Sequence, residues 1–323
     1  MKTNEIKGNK TMNLSTKAFL SEAKKTPGFS FLDGLHGYIY ARFIYLYISI
    51  GTGRHPINKI IRPLDSLLSR IRAWFPRNDH GISAAKPKIT SADAYHGKVL
   101  PLAAMKRLVS VQQDIQLENL ENIIPYHLAK DIILHHPDHL AVLDCPCRAS
   151  REKPCLPLDV CMVVGEPFVS MILEHHPRRS RRICLPEALQ ILEEEDKRGH
   201  VHHAFFKDAM LGRYYAICNC CSCCCGAIQA HVHGTPMLAS SGYVAVVDND
   251  LCIGCGNCND HCQFHALSIK DGINSVSFEL CMGCGICVSK CEIQAISLEP
   301  DLRKGIPLEI DKLMEEAKYL PLN

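Results

Sequence analysis

Eight of the nineteen cysteines in this 323-residue chain fall into two copies of one spacing. Cys252, Cys255, Cys258 and Cys262 read C-x2-C-x2-C-x3-C, and Cys281, Cys284, Cys287 and Cys291 repeat the run at an offset of 29 residues. Thiolates are soft, anionic donors suited to tetrahedral iron or zinc. A whole duplicated run of four favours iron–sulfur chemistry, and hence electron transfer, over a pair of zinc ribbons. Gly254, Gly256, Gly283 and Gly285 lie between the thiols, where positive φ would let backbone N–H groups turn inward.

Ten more cysteines form two groups in the middle of the chain. Cys145, Cys147, Cys155 and Cys161 are spaced C-x-C-x7-C-x5-C, enough to hold one centre, either iron–sulfur or zinc. Arg148 and Arg151 beside them would offset thiolate charge or bind an anionic substrate. Cys218, Cys220, Cys221, Cys223, Cys224 and Cys225 crowd into eight residues, too many for one four-ligand site. On a helix, Cys218, Cys221 and Cys225 would share one face and Cys220, Cys223 and Cys224 another. The sum allows one or two further clusters, with thiols to spare. Cys184 is isolated and reads as a core thiol. Histidines 200, 202, 203, 231 and 233 near the six-cysteine run read as structural, with ligation or proton donation as the alternative. No phosphate-cradling glycine motif or dinucleotide fingerprint is present, and Gly51-Thr-Gly-Arg54-His55 is too short to be one.

The elements that must place these thiols are short. Cys262-Gln-Phe-His-Ala-Leu-Ser-Ile aligns with Cys291-Glu-Ile-Gln-Ala-Ile-Ser-Leu, so each C-terminal unit reads as loop, short helix and strand, joined through a turn at Asp271-Gly272. Upstream, strands are predicted at 139–144, 159–164 and 214–217, and helices at 118–136, 167–176 and 186–198. The strands lead into cysteine groups, as α/β folds place sites at strand ends.

Charge is uneven although the net value is only +2: residues 1–90 carry 15 basic and 5 acidic side chains, the remainder 21 and 29. A basic arm on an acidic body suits an anionic surface. Residues 63–75 predict an amphipathic helix, with Leu64, Leu67, Leu68, Ile71 and Trp74 on one stripe flanked by arginines, packed on protein or lying on an anionic membrane. The apolar stretch 35–53 contains Arg42 and is a poor transmembrane span. With no secretory leader pattern at the start, nineteen cysteines fit a reducing cytoplasm better than a disulfide scaffold.

Residues 243–299 resemble the bacterial two-[4Fe–4S] ferredoxin domain. The resemblance implies that Cys252, Cys255, Cys258 and Cys291 hold one cluster, and Cys281, Cys284, Cys287 and Cys262 the other. The proline that often follows the fourth cysteine is here Gln263 in one copy and Glu292 in the other. The whole chain, through Asp144-Cys-Pro-Cys-Arg148, His200-Val-His-His203 and the 217–225 run, resembles ferredoxin-type iron–sulfur proteins of anaerobic microbes. That resemblance implies electron transfer in an oxygen-poor cell and adds no substrate.

The expected organisation is α+β or α/β: a basic arm (1–90), a cysteine-rich α/β metal-binding domain (91–240), and a two-[4Fe–4S] ferredoxin domain with a tail (241–323). The leading expectation is a cytoplasmic carrier, peripheral on the inner membrane face in the alternative, that relays low-potential electrons through two clusters to a further cysteine-ligated centre. The alternatives are a reductase acting on a small substrate at that centre, and a non-redox cluster scaffold or sensor. A redox partner protein is expected, and nucleic acid is not.

Overall fold

The computed structural model describes residues 12–26, 28–60, 95–111, 115–118, 131–134 and 136–317. The amphipathic helix expected at 63–75 lies outside them. Thirteen strands are described: β1 (Tyr95–Leu100), β2 (Ile115–Glu118), β3 (Asp131–Leu134), β4 (Leu140–Asp144), β5 (Asp159–Val164), β6 (Ser180–Ile183), β7 (Val201–Lys207), β8 (Arg213–Cys220), β9 (Leu238–Ala239), β10 (Tyr243–Val247), β11 (Leu267–Lys270), β12 (Ile273–Val276) and β13 (Ile296–Pro300).

Seven of them form one sheet in the order β6-β4-β5-β8-β7-β1-β9. Every pairing is antiparallel except β1 with β9. Of the two expected classes, α+β or α/β, this mainly antiparallel sheet with helices on both faces fits α+β, and the α/β expectation for the central domain needs correction. The links explain why: β7 returns to β8 through one short turn, whereas parallel neighbours need a long crossover. The helix expected over 118–136 is also corrected, since Glu118 ends β2 and Asp131–Leu134 is a strand paired with it. Ile132 and Ile133 are β-branched, which favours strand over helix.

Both sheet faces are covered, so β7 is buried along its whole length. One face packs on the helices Leu102–Val109 and Leu185–Lys197, through Met105, Leu108, Ala188 and Leu192. The other packs on the helix Phe168–His175 and on the N-terminal helices α1 (Leu14–Lys25), α2 (Phe31–Arg42) and α3 (Ile44–Gly51), which bury Phe19, Tyr40, Ala41 and Ile44. Phe43, at φ −124°, separates α2 from α3. The apolar stretch 35–53 is thus two short helices with one face in the core. Among the described residues no helix is long and apolar enough to cross a membrane.

The C-terminal unit packs against that second face through Phe264, Met282 and Ile286. Each such side chain contributes roughly 1.5–3 kcal/mol when fully buried. Within the unit, β10 pairs with β13 and β11 with β12. Asp271 (φ 51°) and Gly272 (φ 80°) form the turn between β11 and β12, as expected from their types.

Candidate metal centres

The C-terminal unit repeats at atomic detail. Ala266 N–H donates to Cys262 Sγ and Ala295 N–H to Cys291 Sγ, both at 3.2 Å. Asn274 N–H reaches Cys252 Sγ and Ala245 N–H reaches Cys281 Sγ, both at 3.5 Å. Gly254 and Gly283 sit at φ 63° and 62°. A Cβ there would lie 2.1 Å from Gly272 O in one copy and 2.2 Å from Tyr243 O in the other, so only glycine fits. Cys262 stands beside Cys281, Cys284 and Cys287, and Cys291 beside Cys258. Unbridged thiols facing one another, each group accepting backbone N–H bonds, form the donor set that an iron–sulfur cluster takes.

The two thiol groups differ in exposure. Cys255 is open to solvent, whereas Cys281 and Cys287 are buried and Cys284 packs against the central core. Burial pushes the Cys287 thiol up to about 12 and raises Cys284 as well. Metal binding would have to displace these protons.

Residues 217–225 are not a helix. β8 runs through Cys218 and Cys220, a turn carries Cys221 to Cys224, and Cys225 precedes the helix Gly226–Val232. Alternation on a strand puts Cys218 and Cys220 on one face. The ten central thiols consequently do not divide as the sequence segments do. Cys145, Cys147, Cys225, Cys220, Cys218 and Cys161 form a closed ring in that order, each thiol in contact with the next and the last with the first. Its one closely defined edge, Cys161 to Cys218, is 3.9 Å. Cys155, expected with Cys145, Cys147 and Cys161, instead joins Cys221, Cys223 and Cys224 in a separate four-thiol group. The loop 150–158 carries it away from β5 to the turn after β8.

Within the ring the thiols share protons unequally. Hydrogen bonds from Cys161 and Cys220 lower Cys218 to about 7, and those from Cys145 and Cys225 lower Cys147, while Cys225 rises to about 12. All six line a cavity of about 870 Å³ between the sheet and α2–α3. Its far wall holds Tyr40, Tyr47 and Lys207. The Lys207 ammonium lies 4.8 Å and 5.3 Å from the two ring centroids, and burial lowers it to about 8.

Three arginines tie the site together. Arg54, from the segment too short for a phosphate cradle, donates to Cys147 O at 2.9 Å and Cys224 O at 2.7 Å, clamping the ring to the four-thiol group. Arg151 donates to Cys223 O. Arg148 is not available for a substrate, contrary to expectation: it is buried and donates to Glu195 at 2.6 Å and to Asn219 O at 3.1 Å. His203 pairs with Cys218 in the β7–β8 register, is fully buried, and neither ring nitrogen has a hydrogen-bond partner among the described residues. His200 and His202 are structural, bonded to Glu195 and Asn219 at 2.7 Å each. Cys184, expected in the core, is exposed at the residue before the helix Leu185–Lys197.

A family model for 4Fe-4S binding domains matches residues 245–268 and 275–297. The C-terminal unit is a ferredoxin-type 4Fe-4S binding domain. No curated protein and no solved structure matches the chain. With the ferredoxin-type domain placed, the chain is an iron–sulfur protein, and the ring of six thiols shares one buried core with that domain.

Proposed function

We propose that the protein carries low-potential electrons between a redox partner and a cysteine-ligated centre in the six-thiol ring, by way of its ferredoxin-type domain. When bound, two [4Fe–4S] clusters and the central metal group supply the one-electron carriers. Cys252, Cys255, Cys258 and Cys291 would hold the outer cluster, where Cys255 meets solvent and a partner. Cys281, Cys284, Cys287 and Cys262 would hold the inner one. Cys145, Cys147, Cys161, Cys218, Cys220 and Cys225 would hold the central group.

The observation that carries this reading is the docking of the inner thiol group. Phe264, Met282 and Ile286 belong to one continuous buried core with Cys161 and Cys220, against which Cys218 and Cys284 pack. Phe264 meets His231 edge-on at 6.3 Å between ring centroids, and His231 neighbours His203, which lies opposite Cys218. Phe264, His231 and His203 thus mark the side of the ring that faces the ferredoxin-type domain. The test is a Cys252→Ser/Cys255→Ser variant that empties the outer site. Reduction of the central group by an external ferredoxin should slow steeply while the central iron content stays constant. An unchanged rate would refute the relay.

The cavity favours a second reading, reduction of a small substrate at the ring. Its walls are largely apolar and aromatic, with the buried cations Lys207 and Arg148 among them, as in sites that enclose a small ligand. A candidate substrate would then perturb the spectrum of the central group alone.

Association with an anionic membrane surface has its own support. Phe31, Leu35, Ile39 and Phe43 form an exposed stripe along α2, with Phe31 81% exposed, and Lys17, Lys24 and Lys25 lie on the neighbouring α1.

A further inference from the structure

The four thiols outside the ring differ from it in geometry. Cys155 lies 3.1 Å from Cys223, 3.8 Å from Cys221 and 3.6 Å from Cys224, while Cys223 lies 3.2 Å from Cys221 and 3.7 Å from Cys224. Five of the six sulfur pairs lie within 3.8 Å, and all four sulfurs fall within 4.8 Å of one another. In the ring the thiols link one to the next around a wider circuit, with Cys161 and Cys218 at 3.9 Å.

That compactness bears on nuclearity. Four thiolates about 2.3 Å from a single tetrahedral ion are about 3.8 Å apart, the edge of the tetrahedron. Around a cubane each thiolate is carried outward on its own iron, and the sulfurs stand roughly 6 Å apart. The five separations within the four-thiol group are at or below the one-ion value, and none approaches the cubane value.

The loop is also held shut from outside. Arg54 binds Cys224 O, Arg151 binds Cys223 O, and Gln229 Nε2 donates to Ser222 O at 2.9 Å and Cys223 O at 3.0 Å. Ser222 N–H is taken by Gln263 at 2.7 Å. The backbone of the turn therefore has its partners without help from a cluster. Two guanidinium groups stand beside what four thiolates and one divalent ion would make a dianion. No histidine or carboxylate enters the set, and no position is left for water or substrate.

We propose that Cys155, Cys221, Cys223 and Cys224 form a closed mononuclear site for a tetrahedral divalent cation, zinc, separate from the electron-carrying centres. The ion ties the loop after the helix Pro146–Ala149 to the turn after β8, and so fixes Cys147 and Cys225 in the ring. This inference does not rest on the electron relay.

The test is metal analysis and zinc-edge X-ray absorption on the full chain purified without oxygen. One zinc per chain in a shell of four sulfurs at about 2.3 Å is expected. The Cys155→Ser/Cys223→Ser variant should lose that zinc and keep the iron and reduced EPR signal of the ferredoxin-type domain. If the variant does not fold, the absorption spectrum of the unaltered protein still decides. Absence of zinc, or a zinc shell containing nitrogen or oxygen, overturns the proposal. So does loss of about four irons in the variant, the content of one cubane.

Discussion

Gln263 Oε1 accepts the backbone N–H of Ser222 at 2.7 Å. Gln263 follows the ferredoxin cysteine Cys262, and Ser222 sits between Cys221 and Cys223. The same side chain donates from Nε2 to Gly199 O at 2.9 Å. The residue in the position often held by proline is thus a tether between the ferredoxin-type domain and the central thiols. Its counterpart Glu292 is exposed, so the departure from proline serves docking in one copy and not in the other.

Gln263→Pro should remove both bonds and leave Ser222 N–H without a partner. A buried donor left unmade costs about 1–3 kcal/mol. Faster amide hydrogen exchange across 221–225 is expected, with the iron content of the C-terminal domain unchanged. Unaltered exchange would show that Gln263 does not tether the turn.

Arg148 and Glu195 form an ion pair with both side chains 1% exposed. Arg148→Met should cost about 3–5 kcal/mol by stranding the carboxylate, and Arg148→Met/Glu195→Leu should cost much less. Chemical denaturation midpoints of the two variants check this.

The same carboxylate gives a pH signature. Burial alone would raise Glu195, but the hydrogen bond from His200 and the charge of Arg148 outweigh it and hold the group below its usual value. Arg198 also contacts it, at 3.1 Å. A depressed carboxylate contributes stability above its unfolded pKa of about 4.3, and loses it as pH falls through the folded value. The midpoint difference between wild type and Glu195→Gln should therefore be full at neutral pH and shrink on acidification below that range.

Cys184 is the exposed thiol outside all the metal-binding groups. In the metal-loaded protein, limiting alkylation should label Cys184 first. Mass spectrometry after digestion reads the site, and preferential labelling of ring cysteines would contradict their engagement.

The exposed stripe on α2 predicts binding to vesicles of anionic lipid at low salt, weakened by Phe31→Asp/Leu35→Asp and by added salt. Flotation measures it. Equal recovery of wild type and variant with the vesicles would remove the stripe from the account.

The ferredoxin-type domain was legible because its ligands are local: a short spacing, a repeat and a turn signal at Asp271-Gly272 define each unit without reference to distant chain. The strands 140–144 and 159–164 were also legible as continuous apolar runs. The central partition was not. Cys155 belongs with Cys221, Cys223 and Cys224, more than sixty residues away, because β5 and β8 are neighbours in the sheet, and spacing along the chain says nothing of pairing between strands. β8 extends through Cys218 and Cys220, where the density of cysteines hid the period-2 alternation. Arg54 was passed over because its partners, the carbonyls of Cys147 and Cys224 with Ser150 and Gln229, lie more than ninety residues away along the chain. One signal for His203 was present in the His-Val-His-His run, but His202 is equally buried, and only the bond of His202 to Asn219 separates the two.

The most direct test of the central claim is iron and acid-labile sulfide per chain, with EPR of the reduced form, on protein purified without oxygen. Two ferredoxin-type clusters alone supply about eight irons, and a central iron–sulfur group raises the count to about twelve or more. The account predicts the higher value, with a reduced signal beyond those of the ferredoxin-type domain that disappears in Cys218→Ala/Cys220→Ala. A count of about eight with no additional signal would leave the six-thiol ring without an electron-carrying centre and contradict the relay.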